Sequence, residues 1–139
     1  MLDLSSLEKA LASLKTALDV ACSNEQIKKM GEDIKDTIRA GVIQNFEFTY
    51  ELCWKFMKRW LENNLGGMYV DGLNRRELFR LAAEHQLINN VETWMDYHDQ
   101  RNETAHIYDK ETAEEVFESA KSFLKEAEIL LANLKKHNA

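Results

Sequence analysis

The sequence predicts an all-α protein, an antiparallel up-and-down four-helix bundle with one short extra helix. Two observations carry this expectation. No proline interrupts the 139 residues, so the strongest helix breaker is missing. Long stretches also repeat apolar residues at the three-and-four spacing of an amphipathic helix.

The first helix carries Leu7, Leu11, Leu14, Leu18 and Ala21 on one stripe, with Ser5 or Ser6 placed to cap it and Lys9, Lys15 and Asp19 turned outward. The polar run from Ser23 to Asp36 leaves two starts open for the second long helix, near Asn24 or after Gly31. Beyond it, Ile34, Ile38, Phe46, Tyr50, Cys53, Met57 and Leu61 follow one face, and Phe48, Leu52, Phe56 and Trp60 a second. A helix apolar on two sides belongs at the centre of its bundle. Its remaining stripe holds Glu47, Glu51, Lys55 and Arg59, with Glu51 and Lys55 four apart in the favourable order for an ion pair. Asn63-Asn64-Leu65-Gly66-Gly67 ends it, because glycine tolerates the left-handed conformation that closes a helix.

A shorter helix is expected from Asn74 to His85, opened by a capping box of Asn74 and Glu77. Its inner face is Leu78, Leu81 and Ala82, and Arg75, Arg76 and Arg80 make the only basic cluster. The next helix starts at Asn89 or Asn90, carries Val91, Trp94, Met95, His98 and Arg101, and ends near Ala105; its inner face is unusually polar. The last begins at Asp109 and repeats Ala113, Phe117, Ala120, Leu124, Ala127, Leu131 and Leu134, a heptad pattern suited to coiled-coil-like packing.

Length and composition describe one domain spanning residues 1–139, large enough to fold without a disulfide or metal. Eighteen basic against twenty-four acidic side chains give a formal charge of −6, which opposes bulk attraction to nucleic acid or anionic membrane. DNA and membrane are therefore not expected as partners, and any RNA contact must be local. Cys22 and Cys53 lie far apart with no CxxC, so they read as buried or idle thiols. The acidic N-terminus and the absence of a long apolar run point to the cytoplasm.

Potentially reactive side chains are densest between Asp96 and Asp109, where three chemistries compete. A metal site would use His98, Asp99, Asn102 and His106, yet no HExxH pair or cysteine supports it, so no metal is expected. A nucleotidyl-transfer centre needs a glycine-serine turn to cradle phosphates and carboxylates to hold magnesium. The chain has no Gly-Ser pair, and Asp109-Lys110-Glu111 falls where acids are expected at a helix start. An RNA-cleaving pair of Arg101 and His106 has the clearest mechanism: guanidinium grips phosphate in a fork, and imidazole exchanges protons near neutrality. On an ideal helix five positions separate them by about 140° and roughly 7.5 Å. They converge only if the helix unwinds at Ala105 or two copies pool side chains across a two-fold axis.

Arg101-Asn102-Glu103-Thr104-Ala105-His106-Ile107-Tyr108 resembles the R-x4-H-x-Y motif of HEPN proteins paired with minimal nucleotidyltransferases. Gln44-Asn45-Phe46-Glu47-Phe48-Thr49-Tyr50-Glu51-Leu52-Cys53-Trp54-Lys55 resembles the Q-x-FE-x-x-x-E-x-x-WK signature of the nucleotidyltransferase substrate-binding protein family. The resemblance implies a bundle like the helical domain of kanamycin nucleotidyltransferase, a homodimer, and a separately encoded minimal nucleotidyltransferase as partner. Magnesium and nucleoside triphosphate would sit on that partner, with no cofactor in this chain. Carried over from the toxin and antitoxin pairs, Arg101 would bind the scissile phosphate, Asn102 help orient it and His106 act as acid or base in a metal-independent ribonuclease. The partner would silence it by adding AMP to Tyr108. Glu47, Glu51, Trp54 and Lys55 would serve the partner or substrate, or else be packing and an ordinary ion pair.

Overall fold

In the computed structural model, which describes residues 1–23 and 25–138, helix follows helix: α1 (Ser5–Ser23), α2 (Glu25–Lys28), α3 (Glu32–Leu65), α4 (Gly67–Val70), α5 (Arg75–Glu84), α6 (Val91–Glu103) and α7 (Lys110–His137). A 3-10 turn, Thr104–His106, joins α6 towards α7. No strand occurs among the described residues. The four long helices α1, α3, α6 and α7 form the bundle, α5 is the short extra helix, and α2 and α4 are single turns. The second long helix begins after Gly31; Asn24, the other candidate start, lies outside the described residues.

Two-sided burial makes α3 central, and it packs against α1, α7, α5 and α6. Phe46, Tyr50, Cys53, Met57 and Leu61 are buried on one face, and Phe56 and Trp60 on the next. The apolar stripes are shorter than expected at their N-terminal ends. Ile34 and Phe48 are exposed, Phe48 by 61%, because no neighbouring helix covers those positions. Along α1 Leu7, Leu11, Leu14 and Leu18 of the expected stripe are buried and Ala21 is half-buried, and the buried Thr49 hydroxyl donates to the Ala10 carbonyl oxygen across α1 and α3. Asp3, rather than Ser5 or Ser6, opens α1: its carboxylate accepts from the Ser5 backbone N–H at 3.0 Å. Hydrogen bonding from the Ser5 side chain first, then from its backbone N–H, holds the Asp3 carboxyl below the usual carboxylate range.

The heptad on α7 is real but rotated. Val116, Ala120, Phe123, Ala127, Leu130 and Leu134 are fully buried, whereas Ala113, Phe117, Leu124 and Leu131 lie half-exposed beside them. Phe123 explains the rotation. Its ring meets Phe46, Tyr50, Trp94 and Tyr97 at 5.1–6.4 Å, mostly edge-on. Four aromatic partners, each worth about 0.5–1.5 kcal/mol beyond area burial, outweigh the one-sided contact that Phe117 offers. Cys53 is buried and its thiol is pushed up by that burial; Cys22 is exposed.

The helix ends follow their local chemistry. Gly66 closes α3 at φ +97°, and Asn74 and Glu77 form the expected capping box on α5. After α5, the Leu87 N–H donates to the Ala82 carbonyl and the Gln86 N–H to that of Ala83, a Schellman closure. Gln86 occupies the left-handed position at φ 63°, where glycine is normally found. Gln86→Gly should therefore stabilise the chain by about 1 kcal/mol. A denaturant melt with a higher midpoint and unchanged slope is the expected result.

Candidate functional site

Carboxylates and an indole on the polar stripe of α3 face the last turn of α6. Arg101 Nε donates to Glu51 Oε1 at 2.8 Å, and its Nη1 lies 3.8 Å from Glu47 Oε2. The other Glu51 oxygen accepts from Trp54 Nε1 at 3.0 Å. Where α6 tightens into the 3-10 turn, the buried Thr104 hydroxyl donates to Glu47 and lies 2.7 Å from the Arg101 carbonyl oxygen. Glu47, Glu51, Trp54 and Arg101 are thus one network, held to the backbone by Thr104. Lys55 is not in it: no ion pair joins it to Glu51, and its ammonium lies outward, 5.8 Å from the Trp54 ring centroid. The expected four-apart pair loses because Glu51 already serves Arg101 and Trp54, a charge-assisted arrangement stronger than an exposed helix pair.

Arg75 joins this network from the first turn of α5, its guanidinium 3.5 Å from the Trp54 ring centroid. Burial pulls its basicity down, and Tyr50 and Glu51 act in the opposite direction. Its Nε is buried without a hydrogen-bond partner among the described residues. Next to it the Tyr50 hydroxyl lies 2.9 Å from His98 Nδ1. Burial raises the Tyr50 phenol well above its ordinary range, so it stays O–H and pairs with His98 Nδ1 as donor or acceptor according to the imidazole tautomer. His98 is held below the usual imidazole range, first by burial and then by Arg75 and Arg101, against the opposing pull of Asp99 and Glu51. His98 is thus a half-buried, hydrogen-bonded imidazole rather than a free one. Among the described residues no group of three or more His, Cys, Asp and Glu side chains could hold a metal ion.

His106 and Tyr108 form a separate, exposed pair. His106 Nδ1 lies 3.3 Å from the Tyr108 hydroxyl, and the rings meet edge-on at 5.9 Å. Tyr108 is 84% exposed. The α-helix gives way at Thr104, one position before the expected Ala105, but the turn tightens to 3-10 geometry instead of unwinding. Arg101 is occupied by Glu47 and Glu51 while His106 is occupied by Tyr108, so one chain does not bring Arg101 and His106 into contact. Asn102 is exposed beside them. Asp109 accepts from the Thr112 N–H and hydroxyl as the cap of α7, which depresses its carboxyl, so the acids there serve the helix start.

Sequence reasoning missed Arg75, Thr104 and the Tyr50–His98 bond. No periodic signal marks them, since each partner lies 21 to 57 residues away and depends on how α5 and α6 settle on α3.

A helical bundle with this acid-and-tryptophan stripe and this helix-to-loop motif defines a class. The family model described as "Nucleotidyltransferase substrate binding protein like" matches residues 2–136, and the chain belongs to that family. It is 33% identical over 138 residues to a Haemophilus influenzae protein named "Probable ribonuclease HepT", covering 99% of this chain and 94% of that one. A solved Haemophilus influenzae structure, described as revealing the fold of a substrate binding domain of a nucleotidyltransferase, superposes with a TM-score of 0.89 at 33% identity, covering 96% of this chain and 99% of that one. A crystal structure from Thermus thermophilus is similar at a TM-score of 0.71 and 26% identity, covering 92% and 98%. No helix among the described residues is long and apolar enough to cross a membrane.

The His98 environment has a pH consequence. A histidine whose folded pKa is depressed takes up protons more readily when unfolded, so its contribution is complete above the unfolded value of about 6.5 and is lost as pH falls through the folded value. Unfolding free energy measured from pH 7.5 to 5 should fall with acidification, and His98→Gln should flatten that slope. An unchanged slope would remove His98 as its source.

Proposed function

We propose that this chain is the substrate-binding subunit of a two-component nucleotidyltransferase and that Tyr108 is itself an acceptor. The observation that carries this reading is the exposed Tyr108 phenol with His106 Nδ1 3.3 Å away. A nucleophile must reach a separate enzyme's nucleotide, and a phenol needs a base to take its proton. The phenol oxygen attacks the α-phosphorus of ATP, the new P–O bond forms, the α–β bond breaks and pyrophosphate leaves. The proton passes to His106. Magnesium and the nucleoside triphosphate belong on the partner, a minimal nucleotidyltransferase, because Asp109 here is spent on capping α7.

A second reading, favoured by the 33% identity to a protein named as a probable ribonuclease, is a metal-independent endoribonuclease. Arg101 binds the phosphate, Asn102 helps orient it and His106 handles the proton of the 2′-hydroxyl, leaving 2′,3′-cyclic phosphate ends. Since Arg101 and His106 have different partners within one chain, this reading requires a homodimer in which the motifs of two copies face each other. The readings are compatible: nucleotide on Tyr108 occupies His106 and places negative charge where RNA phosphate would lie, as in a toxin silenced by its antitoxin.

Co-expression with a minimal nucleotidyltransferase as the proposed partner should add adenylyl mass to this chain, mapped to Tyr108 and lost in Tyr108→Phe. A stable complex without modification would sink the acceptor role and leave another molecule as substrate. For the second reading, unmodified protein should cleave RNA in chelator, with His106→Ala slower by about 10²-fold or more; equal rates would exclude the mechanism.

A further inference from the structure

Tyr108 has a second environment besides His106. It helps line a cavity of about 110 Å3 between α3 and α7, together with Arg39, Ile43, Ile107 and Lys110. Arg39 also lines an adjoining cavity of about 220 Å3, with Ile27, Lys28, Lys35 and Phe117. Arg39 lines both, so the two cavities flank one side chain between Tyr108 and Phe117, and we treat them as one trough. Its smaller end offers the Arg39 guanidinium and the Lys110 ammonium, with the Asp36 carboxylate beside them. Its larger end offers an aromatic ring, aliphatic walls and two lysines.

Charge and stacking specify the occupant. In a chain of net charge −6, four cations line the trough: Lys28, Lys35, Arg39 and Lys110. Their carboxylate partners are Glu25, Glu32 and Asp36, at 3.2–3.9 Å, each with a side chain more than half exposed. The Lys28 and Lys110 pairs are exposed on both sides and therefore weak and screened, whereas Arg39 and Lys35 are more covered, so a phosphate would compete with Asp36 for Arg39. The Phe117 ring lies 5.7 Å from the Arg39 guanidinium carbon and 4.9 Å from the Lys121 ammonium. Half-buried with both cations over its ring, Phe117 offers a base a stacking face when Arg39 turns from the ring to a phosphate.

We propose that this trough seats a mononucleotide, with its phosphate between Arg39 and Lys110 and its base on Phe117. The occupant is the nucleotide carried by Tyr108, which enters from the Tyr108 end. The inference rests on the acceptor reading only for how the nucleotide arrives; the seat is a property of the unmodified surface.

The test is calorimetric titration of AMP into the full, unmodified chain, with adenosine and inorganic phosphate as partial probes. Saturable AMP binding is expected, at least tenfold weaker in Arg39→Gln and weakened also in Phe117→Leu, with adenosine and phosphate each binding more weakly than AMP. Thermal melts of the Arg39 variant within a few degrees of wild type separate lost binding from lost folding. Absent AMP binding, binding indifferent to both substitutions, or equal affinity for AMP and inorganic phosphate would overturn the seat. Arg39-dependent AMP binding in a chain whose Tyr108 no partner modifies would support the seat and refute the acceptor reading. Normal modification of Tyr108 without Arg39-dependent AMP binding would do the reverse.

Discussion

A 34-residue helix apolar on two of its faces has no stable place at the edge of a bundle, and the architecture answers that constraint. Helices α1 and α7 cover one side of α3, and α5 and α6 the other. Phe123 of α7 meets Phe46 and Tyr50 of α3 and Trp94 and Tyr97 of α6, so three helices share one aromatic centre. Once α6 is fixed by that contact, its polar side has to lie against what remains of α3, which is the stripe of Glu47, Glu51 and Trp54.

The polar network is therefore a consequence of the core. Two carboxylates facing another helix in a partly desolvated seam cost free energy unless a cation answers them. Arg101 does so, and Thr104 ties the arrangement to the backbone at the point where α6 becomes 3-10. Arg75 adds a second cation against Trp54, and burial first, then Arg75 and Arg101, favour the neutral form of His98.

Features set by local chemistry were legible in the sequence. The α1 stripe, the Asn74–Glu77 capping box, the glycine closure of α3 and the Asp109 start of α7 each depend on residues within a few positions of one another. What the sequence left hidden depends on rotation and reach. The apolar residues of α7 fit two neighbouring stripes, and only the position of the aromatic centre selects Val116-Phe123-Leu130 over Phe117-Leu124-Leu131. Glu51 could satisfy Lys55 along its own helix or Arg101 across the seam; desolvation decides for the fixed fork of Arg101, and helical spacing carries no information about desolvation. The residues of the central signature and those of the motif after α6 were read as two separate blocks, and three of the first prove to be the setting of Arg101.

The segment between α6 and α7 is short and bound at both ends, by Thr104 to Glu47 and by Asp109 to Thr112. Tyr108 is held outward by that frame, with its hydroxyl against His106 and its ring bordering Arg39 and Lys110. A phosphodiester placed on the phenol stands one residue from the Asp109 carboxylate, which cannot turn away without uncapping a 28-residue helix. Like charges at that distance repel, and the relief available to the nucleotide is to swing towards the cations on α3 and at the start of α7. In the proposed acceptor role, the frame that holds Tyr108 outward thus gives its modified form a preferred direction, away from the α7 cap and towards Arg39 and Phe117.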